Sequence, residues 1–380
     1  MRGLAVLFAL LLAAAPAAPQ RYKFTINTET PEGQLLAQIG QEEDAAKKLA
    51  LLEQFAAKFP QHEGIGWVYS QMVPAYAKTG QFDKALEAGD KVLGMEPGDL
   101  ETAHAALGAA LGKKDPDVLM AWAAKVSDLA RKVSQSEKPK EEEASEEWKG
   151  RVDFAKQLDV YTEYSLYAMA LQTADPRKKS ALGELLEQRS PQSQYLPQIA
   201  NQRFMAYFQA GESAKAIALA EKLFEKDQTN EDMMLAVADS YRSQQKDLEK
   251  VHALCNKVLE LVKTKSKPEG VSDADWERRK TQLSGRAQYI AGVTYAIQSQ
   301  WAQADQTLRA ALPGIKDDEQ ITAEALFYLG LANFRLGEKG DSDRIYDAIR
   351  FNEQCAAVAG PYQSRARQNL KFIRSKYRVQ

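Results

Sequence analysis

Residues 66–99, GWVYSQMVPAYAKTGQFDKALEAGDKVLGMEPGD, decide the predicted fold of this chain of 380 residues. Apolar side chains in this stretch follow the 3.6-residue period of an amphipathic helix, before Gly80 and again after Phe82. Glycine readily adopts the left-handed conformation that ends a helix, so Gly80 marks a turn. Pro97 closes the second periodic segment. The stretch therefore predicts two short helices joined by a tight turn.

The same pattern returns along the chain. Tyr207 and Tyr241 are 34 residues apart, and each lies within the first helix of a predicted pair. A 34-residue period is typical of the tetratricopeptide repeat, and the chain resembles that family. Residues 66–99 carry the aromatic, small and turn positions of the repeat, which are Tyr69, Tyr76, Gly80, Phe82, Ala85 and Pro97. Further units resemble the repeat over residues 197–230, from 231 onward, over 285–318, and around Leu329-Gly330. The resemblance implies turns at Gly211 and Gly337, and close approach of the two helices of a pair at Ala85, Ala216 and Ala304.

This resemblance implies an all-α fold, a right-handed superhelix (α-solenoid) of about eight antiparallel helix pairs with a C-terminal capping helix. The predicted domains are a signal peptide at 1–17, an extended segment at 18–31, N-terminal helix pairs at 32–135, a charged loop at 136–147, a degenerate long helix pair at 148–196, tandem repeat units at 197–262, a polar linker at 263–274, C-terminal units at 275–360 and the capping helix at 361–380.

The first residues have the organisation of a secretory signal peptide. Met1-Arg2 precedes an apolar run from Gly3 to Ala15, and Ala15-Pro16-Ala17 matches the small-residue cleavage rule, with the cut before Ala18. The apolar run is shorter than the ~20 residues that span a bilayer. We therefore expect export to the periplasm or the cell exterior, with no membrane span after cleavage.

Composition argues against several classes of function. Lys+Arg number 50 and Asp+Glu 52, a formal net charge of -2 that lacks the positive field required for non-specific nucleic-acid binding. The sequence has two cysteines, Cys255 and Cys355, which we expect to remain unpaired because they belong to second helices separated by an intervening unit. His62, His104 and His252 lie in no metal-binding spacing. We therefore expect no metal site and no cofactor.

No catalytic pattern is present in the sequence either, since it has no phosphate-binding glycine loop, no G-x-S-x-G elbow and no nucleophile close to a histidine. The resemblance implies a non-catalytic scaffold whose concave groove, lined by the first helices, binds a peptide or a helix of a partner protein. The resemblance to exported tetratricopeptide repeat proteins implies that the partner is an envelope protein. An alternative is an accessory component of envelope polysaccharide or peptidoglycan processing, which would require stacked, exposed aromatic rings in the groove.

The repeat frame also predicts which side chains face the groove. Alignment to the frame gives an aromatic and apolar surface with scattered arginines, and Tyr289, Phe327 and Phe334 are equally compatible with the core because a one-residue shift exchanges the two faces. The predicted groove residues are Trp67, Ser70, Lys78, Asn201, Met205, Phe208, Leu235, Asp239, Arg242, Arg286, Tyr289, Val293, Phe327, Leu331, Phe334 and Arg335.

Overall fold

The computed structural model describes Tyr22 and residues 24–140, 142–224 and 230–378. In these residues it contains 17 helices and no β-strand, which confirms the predicted all-α fold. The chain divides into two compact units, Met1–Ala210 (unit 1) and Gly211–Gln380 (unit 2).

Unit 1 contains nine helices within the described residues. Consecutive helices pack against each other, and short turns make them antiparallel. The helices are α1 (Pro31–Gln41), α2 (Ala45–Lys58), α3 (Ile65–Lys78), α4 (Phe82–Met95), α5 (Leu100–Lys113), α6 (Pro116–Ser134), α7 (Glu142–Gln172), α8 (Pro176–Arg189) and α9 (Leu196–Gln209). Alternate helices also pack side by side: α3 packs on α5, α5 on α7 and α7 on α9.

Unit 2 repeats this organisation in its described residues. Its helices are α10 (Ser213–Phe224), α11 (Glu231–Ser243), α12 (Leu248–Thr264), α13 (Asp273–Ile297), α14 (Trp301–Ile315), α15 (Glu319–Gly337), α16 (Ser342–Ala357) and α17 (Gln363–Tyr377). Helix α13 packs on both α11 and α15, and α17 packs on α16 and α15. The described residues thus contain 17 helices in a repeating order, which agrees with the α-solenoid predicted from the repeat.

Helix starts follow the polar side chains of the sequence. Asp115 and Asp175 each accept backbone N–H hydrogen bonds from the first helical turn, and a proline occupies the first helical position after each of them. Asp99 caps α5 in the same way through the N–H of Thr102, at 2.9 Å. Side-chain capping supplies hydrogen-bond acceptors to N–H groups that lack a partner within the helix.

Two turn glycines have the predicted conformation and one does not. Gly80 and Gly211 have φ of 74° and 78°, the left-handed region that favours glycine. Gly337 instead remains helical at the end of α15, where a Cβ would lie 2.6 Å from Cδ1 of Ile345. The left-handed turn falls at Gly340, with φ of 103°. The glycine at 337 is thus explained by close helix packing, and the predicted turn there is wrong.

Two predicted boundaries also differ from the structure. Helix α7 begins at Glu142, inside the predicted charged loop 136–147, because glutamate and alanine are strong helix formers and acidic residues favour the first turn. The non-helical part of the predicted linker 263–274 is shorter, since α12 ends at Thr264 and α13 begins at Asp273. The predicted signal peptide at 1–17 lies outside the described residues.

Close contacts between helices depend on small side chains. Ala85, Ala216 and Ala304, predicted to allow close approach within a pair, are all fully buried. Cys255 and Cys355 are buried and free, as predicted, and burial raises the pKa of the Cys255 thiol to about 12. None of the described helices combines the length and apolarity needed to cross a membrane.

Candidate functional site

The first helices of unit 1 carry a concentration of exposed apolar side chains. The described residues include eight large apolar side chains that are exposed, and four of these lie on α7 and α9, at Val160, Leu171, Met205 and Phe208. The other four are each on a different element. Because isolated exposed apolar residues are ordinary on protein surfaces, only the grouping on two packed helices indicates a binding surface.

On α7 the exposed and half-buried residues form one stripe. Val160, Tyr164, Tyr167 and Leu171 follow the i, i+4, i+7, i+11 spacing that places side chains on a single face of a helix. Val160 is 46% exposed and Leu171 41% exposed, and the two tyrosines between them are half-buried. This face of α7 is thus apolar along about three helical turns, with a polar hydroxyl at two positions.

A matching stripe lies on α9. Asn201, Met205 and Phe208 follow i, i+4, i+7, and all three were predicted as groove residues. Met205 is 50% exposed and Phe208 36% exposed, and the ring of Phe208 packs edge-on against buried Phe204 with centroids 5.0 Å apart. We call the two stripes together the α7–α9 face; its members are Val160, Tyr164, Tyr167, Leu171, Asn201, Met205 and Phe208.

Tyrosine rings join the two helices behind this face. Tyr195, just before α9, stacks on Tyr167 with ring centroids 4.9 Å apart and lies 6.0 Å from the ring of Tyr164. Tyr161 in turn packs edge-on against His104 of α5, at 5.1 Å. Burial raises the pKa of Tyr161 and of Tyr195, and it lowers the pKa of His104, so the neutral form of each is favoured. The base of the α7–α9 face therefore consists of packed aromatic rings.

The corresponding surface of unit 2 is closed by a polar cluster. Arg242 on α11 forms ion pairs with Asp239, at 2.8 Å, and with Glu324 on α15, at 2.9 Å. The hydroxyl of Tyr289 on α13 donates to the other carboxylate oxygen of Glu324 at 2.7 Å, and the Arg242 guanidinium lies over the Tyr289 ring. We call Asp239, Arg242, Tyr289 and Glu324 the Glu324 cluster. It connects three first helices of unit 2.

Burial controls the ionisation of this cluster. Burial raises the pKa of Tyr289, with Glu324 adding to the rise and Arg242 opposing it. Burial by itself would lower the pKa of Arg242, but the neighbouring Tyr289, Asp239 and Glu324 outweigh it and raise the pKa further. Tyr362, before α17, also has a raised pKa, from burial and from its hydrogen bond to Glu324. The charged groups thus satisfy one another and offer little to an outside ligand.

Several groove residues predicted in unit 2 lie in its interior. Tyr289 is only 2% exposed, and Val293 and Leu235 are buried as well. Phe334 is buried against Phe372 and Tyr377 of the capping helix, in a small core with Ile345 and Ile373. For Leu235 and Val293 the prediction that they face a groove is therefore wrong. For Tyr289 and Phe334 the structure selects the core, the second of the two placements that the repeat frame allowed, because α13 and α15 pack between helices on several sides.

The remaining predicted residues are half-buried or exposed. Phe327 and Leu331 are half-buried, with Phe327 packed on Tyr328 and Tyr362. Arg286 and Arg335 are exposed, and Arg335 pairs with Glu338. In unit 1, half-buried Trp67 is in contact with Phe24, at 6.0 Å between ring centroids, so the chain's own N-terminal segment covers it. Ser70 donates a hydrogen bond to the carbonyl of Trp67, and Lys78 is exposed.

Sequence reasoning missed residues that complete both surfaces. Glu324 joins Arg242 to Tyr289, yet its position 82 residues from Arg242 left no local signal. Tyr164 and Tyr167, by contrast, share one side of α7 with Tyr161 and could have been found from the i, i+3, i+6 spacing of the three tyrosines. Long-range partners are invisible to periodicity, whereas an aromatic stripe is not.

No protein-family model and no curated protein sequence matches the chain. It is similar to a chain of the APC/C hetero-tetramer Cut9-Hcn1, with 14% identity over 91% of this chain and 56% of that chain, at a TM-score of 0.36. It is similar to the TPR domain of P58(IPK), with 13% identity over 92% of this chain and 99% of that domain, at a TM-score of 0.24.

A third solved structure is TTC0263, a thermophilic TPR protein of Thermus thermophilus, with 18% identity over 66% of this chain and 94% of that chain, at a TM-score of 0.20. This chain spans just over half of the Cut9-Hcn1 chain, at 56%. These identities and TM-scores are low, and no function of this chain follows from them.

Proposed function

We propose that this chain is a non-catalytic scaffold that binds a segment of a partner protein on the α7–α9 face. The observation that carries the proposal is the exposure of Met205 and Phe208 on a helix that packs beside the apolar stripe of α7. Apolar and aromatic side chains of this kind act as anchors at protein interfaces, where a few residues supply most of the binding energy. A helix with apolar residues at i, i+3, i+4 and i+7 would match the spacing of the two stripes.

The tyrosines favour a peptide over a polysaccharide. Sugar binding uses the faces of exposed aromatic rings, but Tyr167 and Tyr195 stack on each other, and Tyr195 is only 9% exposed. One face of each ring is therefore occupied within unit 1. Exposed Met205 and Leu171 instead suit an apolar side chain of a partner.

We further propose that the partner is an envelope protein and that the chain acts in the periplasm or outside the cell. The support is the sequence of residues 1–17, with its charged start, apolar run and small-residue cleavage motif. Cell fractionation followed by N-terminal sequencing tests this directly, with Ala18 as the expected first residue. Recovery of an uncleaved chain from the cytosol would contradict the location without bearing on the α7–α9 face.

The binding proposal is tested with a photo-crosslinking amino acid at Met205, and at Phe372 as a control of similar exposure in unit 2. We expect a crosslinked partner from the envelope fraction at Met205 and none at Phe372. With that partner purified, Met205→Asp/Phe208→Asp should weaken binding at least ~10-fold, since each lost anchor costs more than ~1 kcal/mol. Equal binding by this variant and by Phe372→Asp would contradict the proposal.

A further inference from the structure

The N-terminal segment lies against the beginnings of α3 and α5. We call Tyr22 and residues 24–30 the strap; over 24–27 it has no helical structure. Its first described residue, Tyr22, donates its hydroxyl to Oδ2 of Asp99 at 2.8 Å, across 77 residues of sequence. Asp99 is the N-cap of α5 and is 3% exposed. The hydroxyl therefore hydrogen-bonds to a buried carboxylate.

The second anchor of the strap is Phe24. Its ring lies 6.0 Å from that of Trp67 on α3 and meets His62 edge-on at 6.3 Å. Residues 25–29 are all exposed, whereas Tyr22 and Phe24 are half-buried. The strap is thus held along this surface by two aromatic side chains in a Tyr-x-Phe pattern.

Two glycines leave the space that these rings occupy. A Cβ at Gly66, within the first turn of α3, would lie 3.1 Å from Cε1 of Tyr22, and a Cβ at Gly64 would lie 3.2 Å from Cε2 of Phe24. At Gly66 the Tyr22 ring is the nearest neighbour, with no other atom of the described chain beyond adjacent residues and its own helix within 4 Å. The surface is therefore shaped for the two rings, since any larger side chain at position 66 meets Tyr22.

We propose that the beginnings of α3 and α5 form a second binding site, specific for a non-helical protein segment with the pattern Tyr-x-Phe, which the chain's own strap occupies in cis. A partner segment with this pattern would place its tyrosine hydroxyl on Asp99 and its phenylalanine against Trp67. This site goes beyond the α7–α9 face, because it selects a hydrogen-bonding tyrosine rather than apolar anchors. The strap makes binding there a competition.

The effective concentration of the tethered strap sets how strongly it competes with a free segment. A short tether keeps a segment at an effective concentration on the order of millimolar, so a free copy of the strap should bind weakly until the cis copy is removed. The other hydrogen bonds described for the strap join its own residues or the start of α1, so removing the two rings should vacate the site and leave the helices in place.

The experiment uses the full chain and a fluorescent peptide of residues 20–30, QRYKFTINTET. Tyr22→Ala/Phe24→Ala should bind the peptide saturably below about 1 mM, and the wild type should bind it at least ~10-fold more weakly. A peptide with alanine at both aromatic positions should bind neither protein. The proposal is overturned if the vacated variant does not bind the peptide, or if the wild type binds it equally well.

A matched pair of glycine variants locates the site. Adding Gly66→Ala to the vacated variant should weaken peptide binding, because a Cβ there would lie 3.1 Å from the tyrosine ring and would force that ring to shift. Adding Gly94→Ala, a helical glycine of α4 with no neighbour within 4 Å, should leave binding unchanged. Equal binding by the two triple variants would show that the peptide binds elsewhere and would overturn the proposal.

If circular dichroism shows that the double variant is unfolded, Tyr22→Phe replaces it. This change removes only the hydroxyl that donates to Asp99. The weakened strap should let the peptide bind roughly ten-fold more tightly than to the wild type, as expected for losing a hydrogen bond to a charged group. No gain in binding would count against the site.

Discussion

The first helices of unit 1 and those of unit 2 present different surfaces. On α7 and α9, apolar side chains such as Met205 and Phe208 remain exposed over a base of packed tyrosines. On α11, α13 and α15, Arg242, Tyr289 and Glu324 satisfy one another and are largely buried. The same repeat can therefore leave its first-helix side open to a partner or close it with its own polar contacts, and we place binding where it is open.

The largest expected effect is the loss of stability when the buried ring of the Glu324 cluster is removed. Tyr289→Ala should lower the free energy of unfolding by ~3–5 kcal/mol, because the ring is 2% exposed and its loss leaves a cavity beside Arg242. Denaturant unfolding measures the loss. Tyr346→Ala is the matched control, since Tyr346 on α16 is 58% exposed. Similar losses for the two variants would mean that Tyr289 is not part of the core of unit 2.

A smaller change tests the charges of the Glu324 cluster alone. Glu324→Gln keeps the shape of the side chain but removes its negative charge. The Glu324 carboxylate pairs with Arg242 and accepts a hydrogen bond from the Tyr289 hydroxyl. We expect a loss of about 1.5–3 kcal/mol, the range for hydrogen bonds to charged groups. Glu338→Gln, at an exposed pair with Arg335, should cause no comparable loss in the same unfolding measurement. If Glu324→Gln leaves the free energy of unfolding unchanged, the Glu324 cluster does not stabilise unit 2.

The aromatic base of unit 1 should respond to acid through His104. Burial lowers the pKa of His104 below its usual value of about 6.5, with Glu101 opposing the shift. Below about pH 6.5 the unfolded chain therefore binds a proton that the folded chain does not, and the free energy of unfolding falls as pH falls until the folded-state pKa is passed. His104→Gln should reduce the difference in stability between about pH 7.5 and pH 5. An unchanged difference would show that His104 does not couple unit 1 to pH.

The smallest expected effect sharpens the open surface. Met205→Ala should change the free energy of unfolding by less than about 0.5 kcal/mol, because its side chain is half exposed. Phe208→Ala should cost somewhat more, because its ring also packs on Phe204. The same two variants should weaken partner binding, which separates a binding surface from a structural one. A large loss of stability would instead place these side chains in the packing of unit 1.

By itself, the sequence determined the helices of this protein. The 34-residue spacing of Tyr207 and Tyr241, the glycine turns at Gly80 and Gly211, and the prolines that open α6 and α8 all act locally. Helix periodicity, turn conformation and capping depend on residues a few positions apart, so a sequence reveals them directly. The exposed residues Asn201, Met205 and Phe208 were also found from the repeat frame.

Only the tertiary structure decided which first helices are covered. Tyr289 and Phe208 are both predicted groove residues, yet Tyr289 is buried against Glu324, 35 residues away, and Phe208 is exposed. The strap is a stronger case, since Tyr22 meets Asp99 across 77 residues. Whether a side chain is buried depends on which residues, distant in sequence, pack against it in the folded chain. An amphipathic pattern describes only the faces of the helix that carries it.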